Sequence, residues 1–395
     1  MNFEFSEEQL SIRASIRNFA REEILPGKME NDELKIFPKH LISKMGELGI
    51  LGVFFPEEYG GAGMGYIEYA LILEEISAAD PSIGLTVAAH NSLGTNHIYT
   101  CGNEEQRRKY LPDLLTGKTL AAWALTEPGG GSDAYELKTT AKKNGNKWIL
   151  NGSKTFITNP TYSDYTVVIA ITDTEKKKAG ISAFIVEKGM PGYSVGKPMN
   201  KLGMRASDTA ELFFEDCEVP EENLLGKEGE GYFNALEILT GGSISIGAMC
   251  VGIARGAFEN SLRYSEERMA FGKKISGFQA IKFKLADMAT QIDASRLLVL
   301  RAASMKDKSL DVVLQAAMAK LYASEVAVKV AEEAVQIYGG YGYIKEYPAE
   351  KYWRDSKLGT IGEGTSEIVR LVIASELIKR VSEATVDSVV EGVNP

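Results

Sequence analysis

The chain has 395 residues, 44% of them hydrophobic, which suits a folded protein of two or three domains with a sizeable core and excludes a disordered one. Its 44 basic and 54 acidic residues give a net charge of −10 with no basic cluster, which argues against nucleic acid or an anionic membrane as partner. Three scattered cysteines (Cys101, Cys217, Cys250) form no CxxC pair, and His40, His90 and His97 complete no ligand pattern, so no disulfide framework and no metal site is expected.

The first residues, MNFEFSEEQ, are acidic and lack a basic stretch followed by an apolar run, which points to a cytoplasmic setting. Ser6 and Gln9 form the capping pattern S-x-x-Q, and Ile12, Ile16, Phe19 and Ile24 recur near helical spacing, so a helix opens the chain. Pro26 and Gly27 break it. Further helices are expected over 40–48, 66–79, 82–99 and 104–116, with a glycine-rich loop over 56–65. His90 and His97, two turns apart, read as structural. Residues 1–119 thus form an N-terminal helical domain.

Near Ala121 the pattern changes to alternation with β-branched and aromatic residues. KWIL lies between Asn144-Gly145 and Asn151-Gly152, both hairpin signals, and strands follow at 165–171, 181–187 and 210–219. No crossover helix separates them, so residues 120–230 are expected to form an antiparallel β domain. Beyond Gly231 long helices return: Ile281, Leu285, Met288 and Ile292 trace one face, and 316–337 is rich in Ala and Val. The longest nearly apolar run, 244–254, is short of the roughly 20 residues a membrane span needs and reads as a buried helix. Residues 231–395 are expected to be a four-helix bundle with a frayed end from about Val386, completing an α+β fold.

Three stretches carry chemistry. ALTEPGGGSDA, 124–134, has three consecutive glycines between the hydroxyls of Thr126 and Ser132, able to present N–H groups to a phosphate or a flavin edge. It lacks the Lys-Ser/Thr pair of a P-loop. KTFITN, 154–159, places an aromatic ring and a threonine on one strand, suited to a planar ring. IGEGTSEIVR, 361–370, sets Glu363 between two glycines, ahead of Thr365 and Ser366, which can cap a helix whose inward stripe begins with Ile368, Leu371 and Val372.

These stretches, with RMAFGK (268–273), FQAIKFKLADMA (278–289), QIYGGYGY (336–343) and YWRD (352–355), resemble the acyl-CoA dehydrogenase family over essentially the whole chain. The resemblance implies a flavoprotein that desaturates an acyl-CoA thioester between Cα and Cβ, with FAD as cofactor and Glu363 as the base for the Cα proton. By that resemblance Trp123, Ala124, Leu125, Thr126, Gly131, Ser132, Phe156, Ile157 and Thr158 line the flavin. Thr158 then lies near N5, and Ser132 near the substrate as well. Arg268, Gln279, Gln336, Ile337, Tyr338, Gly339 and Gly340 contact the phosphates and adenosine of a neighbouring subunit's flavin. Thr365, Ser366 and Glu367 complete the cofactor site, and Gly364 touches substrate. The resemblance further implies a homotetramer and an electron-transfer flavoprotein as acceptor, with Glu215 a docking contact.

The chain departs from the family pattern at three places. Phe156 stands where many relatives have Trp, which keeps a ring against the flavin. Thr240 and Ser243 stand where an Asp and an Arg commonly meet the acyl-CoA and brace the catalytic loop. Either another cation substitutes, or the substrate is held differently, or the native Arg has been replaced. Gly362 stands where many relatives have Tyr, which enlarges the expected acyl pocket toward a branched, cyclic or otherwise bulky group. Relatives that place the base on the other helix do so at the position of Gly242, which cannot serve. An acyl-CoA oxidase or flavin monooxygenase of the same fold, and an acyl-CoA-binding flavoprotein with impaired catalysis, are the alternatives.

Overall fold

The computed structural model describes residues 4–383, so the end expected to fray from Val386 lies outside the described residues. Ser6 caps α1 (Glu7–Phe19) as expected: its hydroxyl accepts from Gln9 N at 3.1 Å while the Gln9 side chain accepts from Ser6 N at 3.0 Å. The break expected at Pro26-Gly27 is corrected: the chain stays helical through a π-helical stretch (Ala20–Ile24) and a 3-10 turn (Leu25–Gly27) into α2 (Lys28–Leu34), because Pro26 stands in the first turn of a new helical segment, where its missing N–H costs nothing; α3 (His40–Glu47) and α4 (Tyr66–Ala79) follow. The helix expected over 82–99 forms in three pieces: α5 (Pro81–Ala88), a π-helical stretch (Ala89–Thr95) and α6 (Asn96–Cys101). Such widened turns are common beside functional sites. Here one is pinned by His90, whose Nδ1 accepts from Ala121 N at 3.0 Å and whose Nε2 lies 3.2 Å from the Leu114 carbonyl at the end of α7 (Glu104–Leu115).

Ala121 belongs to β1 (Leu120–Ala124), the entry to an eight-stranded sheet. Its other strands are β2 (Thr140–Asn144), β3 (Lys147–Thr158), β4 (Ser163–Ile171), β5 (Ile181–Glu187), β6 (Tyr193–Val195), β7 (Thr209–Pro220) and β8 (Leu224–Leu225), in the order β6-β7-β3-β2-β4-β5-β8. The expected antiparallel pairing holds for most neighbours. β1, however, runs parallel to β4, and β2 meets β4 in parallel at Thr140 and Ile171. β1 arrives from the helices instead of from a hairpin, so no turn dictates its direction. Of the two hairpin signals, only Asn144-Gly145 makes a turn. Asn151-Gly152 sits inside β3 at a register shift, with Gly152 at φ 145° and Thr139 filling the space a side chain would need.

The helical C-terminal part begins with α8 (Gly231–Glu267), followed by a small hairpin of β9 (Met269–Ala270) and β10 (Lys273–Lys274). Then come α9 (Gln279–Asp307), α10 (Val313–Tyr338), α11 (Ala349–Ser356) and α12 (Ser366–Glu383). α8 packs against α4, α9 and α10. It is long and apolar enough to span a membrane, but 72% of its apolar window is buried inside the molecule, so it is a core helix. Met288 and Ile292 of the expected α9 face are buried in the same core. Two buried carboxylates on α4, Glu74 and Glu75, join four cations from three other helices. Arg13 and Arg17 come from α1, Arg255 from α8 and Arg296 from α9. A buried charge is costly unless paired, so this network fixes how the N-terminal helices seat on the bundle. The inward stripe expected on α12 is corrected: Val369 is buried, whereas Leu371 is 63% exposed and Val372 also faces outward. The helix is laid on the surface of the protomer, so only part of its apolar face finds a partner there.

Candidate functional site

Glu363 sits in the turn between α11 and α12. Ile361 N and Gly362 N both donate to the Leu358 carbonyl, at 2.9 and 2.8 Å, and Thr365 Oγ1 accepts from Ile368 N at 3.4 Å to cap α12. Between these anchors Glu363 adopts φ 53°, the left-handed region that a residue with a Cβ visits only when its surroundings compel it. Gly364 follows at φ 103°, and its carbonyl accepts a short hydrogen bond from the buried Lys320 ammonium on α10. The strained turn aims the side chain inward. Glu363 Oε2 is buried without a hydrogen-bond partner and lies against Gly242 on α8, where Leu93 of the π-helical stretch also packs. Burial pushes the Glu363 carboxyl up to about 7, against the opposing pull of Lys320. Such a group is a base poised near neutrality.

The glycine-rich loop and the KTFIT strand are stitched together by a buried ion pair. Lys154 Nζ donates to Glu127 Oε1 at 2.8 Å and to the Leu125 carbonyl at 3.0 Å. The Glu127 carboxylate also accepts from Lys138 N and Thr139 N at 2.6 and 3.0 Å, and Thr155 N donates to the Thr126 carbonyl at 2.9 Å. A second register shift in β3, between Lys154 and Ile157, puts Phe156 at φ 58° and turns its ring outward, 68% exposed, while Thr155 and Ile157 stay buried. Trp123 on β1 is half-buried, with Nε1 donating to His97 Nδ1 at 3.0 Å. Burial pushes His97 down to about 3, so it stays neutral and serves as an acceptor for the indole. Ala124 and Leu125 are buried, Thr126 and Thr158 are half-buried, and Gly131 and Ser132 are exposed. An outward ring, flanking hydroxyls and an open glycine loop fit a flavin ring.

Arg268, Ile337, Tyr338, Gly339 and Gly340 meet elsewhere, around a cavity of about 470 Å³ shared with Tyr264, Ile275, Tyr341 and Ile344. Tyr264 and Tyr338 stack with ring centroids 4.0 Å apart, and the Arg268 guanidinium lies 5.3 Å from the Tyr341 ring centroid. Gly339 and Gly340 have open space where a side chain would stand, leaving the backbone accessible to a phosphate. Gln279, which opens α9, and Gln336 are exposed but are not among the residues lining the cavity. In the turn before α12, Ser366 Oγ is buried without a partner and Glu367 is exposed. The hydroxyls of Thr240 and Ser243 return to their own helix, donating to the Leu236 and Leu239 carbonyls at 3.1 and 3.0 Å. Glu215 is an exposed residue of β7.

Three family models match the chain in succession: "Acyl-CoA dehydrogenase, N-terminal domain" over residues 6–118, "middle domain" over 122–217 and "C-terminal domain" over 229–378. The chain belongs to the acyl-CoA dehydrogenase family. A Bacillus subtilis acyl-CoA dehydrogenase is 48% identical over 94% of this chain and 98% of its own length. A short-chain specific acyl-CoA dehydrogenase of Clostridium acetobutylicum is 44% identical over 96% of this chain and all of its own. Among solved structures, butyryl-CoA dehydrogenase from Megasphaera elsdenii superposes with a TM-score of 0.94 at 42% identity, covering 96% of this chain and 100% of that one. A chain described under the electron transferring flavoprotein of Acidaminococcus fermentans gives 0.95 at 49% identity over 96% and 100%. An acyl-CoA dehydrogenase from Bacillus anthracis complexed with FAD gives 0.91 at 38% identity, over 96% of this chain and 68% of that one.

Four residues packed around these stretches escape a reading of sequence motifs: Lys320, Leu93, Glu127 and Lys154. The last two lie inside recognised motifs, and only the fold brings them together. For Lys320 the signal was present, a lone lysine in the small-residue run AAMAKLYAS of a buried helix.

Proposed function

We propose that this enzyme oxidises a short acyl-CoA thioester between Cα and Cβ, with Glu363 taking the Cα proton. The observation that supports this reading above all others is the Glu363 carboxylate, its Oε2 buried without a partner and held inward by a left-handed backbone. A carboxylate kept for structure would be paired. FAD is the cofactor, and when bound it accepts the hydride that leaves Cβ. Trp123 to Thr126, Gly131, Ser132 and Phe156 to Thr158 would hold its ring, with Thr365, Ser366 and Glu367 beside them. Desolvation makes the Glu363 carboxylate a stronger base than a solvated one, and its own N–H in the same turn is the donor assigned to the thioester oxygen. Gly364 leaves room for the thioester to approach.

The cavity at Arg268 lies at the far end of α10, about 27 Å along the helix from Lys320 at 1.5 Å per residue. That separation supports assigning Arg268, Gln279 and 336–340 to the flavin of a neighbouring protomer, in a homotetramer. Outward apolar residues such as Leu371 and Phe271 support such an assembly. The likeness to the Acidaminococcus fermentans chain supports an electron-transfer flavoprotein as acceptor, with exposed Glu215 available to it. Three free thiols support a cytoplasmic setting.

The short acyl group rests on the short-chain and butyryl-CoA relatives. Gly362 adds room for a branch, since a side chain there would first meet Leu358 at 3.5 Å. Anaerobic mixing with a panel of straight and branched acyl-CoAs, read as flavin bleaching, tests the substrate class. Bleaching by short chains supports it, and none with any member returns the protein to the impaired acyl-CoA binder suggested by Ser243. Rapid peroxide release in air would instead favour an oxidase.

A further inference from the structure

We infer that Lys320 is the positioning residue of the catalytic loop: its ammonium holds the Gly364 carbonyl and provides the counter-charge for Glu363. The inference rests on Glu363 being the base. Lys320 is only 1% exposed, on a stretch of α10 formed by Ala316, Ala317, Ala319 and Ala323. A lysine placed so deep costs stability unless it is paired. Its ammonium donates to the carbonyl of the residue that follows Glu363, so the Lys320 side chain ties α10 to the strained turn by one hydrogen bond.

The charged and titratable groups facing this point are few. α8 contributes the Cys250 thiol, which burial pushes up to about 12, and α4 contributes the Tyr69 phenol, which burial also pushes up. Both stay neutral at ordinary pH. α8 presents hydroxyls at Thr240 and Ser243, each turned back to its own helix, so it supplies no cation at the positions where the family commonly has one. Among the described residues Lys320 is therefore the cation placed to oppose the desolvation of Glu363. Burial favours the neutral form of both groups and their attraction favours the charged form of both. Without the ammonium, the carboxyl would hold its proton to higher pH and the turn would lose its anchor.

The test uses the FAD-loaded enzyme with butyryl-CoA and three variants: Lys320→Met, Lys320→Arg and Glu363→Gln. Lys320→Met is expected to lower kcat/KM at pH 7 by about tenfold or more and to move the ascending limb of its pH profile up by about one unit or more. The infrared carboxylic-acid band that Glu363→Gln removes should titrate with the same upward shift. Lys320→Arg keeps a fixed cation, so its limb should stay at or below the wild-type position. A Lys320→Met enzyme whose limb and carboxyl band do not move overturns the inference, however slow it is, because removing a counter-charge must raise the pKa of the carboxyl it opposes. Should Lys320→Met fail to fold, Lys320→Arg decides, and a limb moved upward there overturns the inference. Wild-type turnover by Glu363→Gln would instead remove the base assignment.

Discussion

The Glu363 carboxylate lies so close to Gly242 that a methyl group there would collide with Oε2, and Leu93 Cδ2 would sit 3.2 Å from that methyl as well. α8 thus yields its space to the carboxylate that is proposed as the base. Gly242→Ala should push the carboxylate out of line and lower kcat by about 100-fold, as small misplacements at reacting centres do. Overpacking of this kind also costs about 1–3 kcal/mol, so a modest fall in melting temperature should accompany it. Unchanged turnover would show that Glu363 does not occupy this place during the reaction.

The pH dependence follows from the raised Glu363 carboxyl. Proton removal needs the carboxylate, so kcat/KM should rise with pH through an apparent pKa near 7. Stability runs the other way. A folded-state pKa raised above the unfolded value favours the protonated form, so this group's contribution is fully present below the ordinary carboxylate range and is lost as pH rises through about 7. Glu363→Gln, neutral at every pH, should therefore become more stable than wild type between pH 5 and pH 8, by up to about 3 kcal/mol. Denaturant unfolding at the two pH values measures this.

The Lys154–Glu127 pair is buried at both ends and holds together the two motifs proposed to line the flavin. Lys154→Met or Glu127→Leu alone leaves a buried charge and should cost about 3–5 kcal/mol together with much of the bound FAD. The double variant should recover part of the stability, because neither charge is then stranded. FAD content after gel filtration and thermal melting of all four proteins read the cycle.

Gly362→Tyr would place a ring beside Leu358. The change should lower kcat/KM for branched acyl-CoAs by about tenfold or more while sparing butyryl-CoA, since overcrowding a pocket of this kind costs about 1–3 kcal/mol. A wild-type enzyme that already strongly prefers butyryl-CoA to branched substrates would show that the missing ring does not widen the pocket.

Much of this was legible in the residues, for identifiable reasons. The Ser6–Gln9 cap depends on local contacts alone, and the structure places it and the span of α4 as read, although Asp307 of α9 also caps the start of α4 by accepting from Tyr66 N and Ile67 N. Asn151-Gly152 misled because a glycine with positive φ serves a bulge as well as a turn, and only the packing of Thr139 distinguishes them. The π-helical turns at 89–95 were invisible because their reason is His90 reaching β1, a contact between distant segments. Leu371 and Val372 have the spacing of a core stripe but lie on the surface of the protomer. In the site, Glu363 could be singled out from its glycine neighbours, whereas Lys320 could not be tied to it: the 42 residues between them say nothing about which helix backs the turn.

The most direct measurement is the rate of flavin bleaching when the FAD-loaded enzyme is mixed with butyryl-CoA in the absence of oxygen, compared between wild type and Glu363→Gln. Wild type should bleach within seconds at most, and Glu363→Gln should bind the thioester yet bleach at least about 1,000-fold more slowly, since the base that takes the Cα proton is gone. Bleaching of Glu363→Gln at the wild-type rate would contradict the assignment of Glu363 as the base.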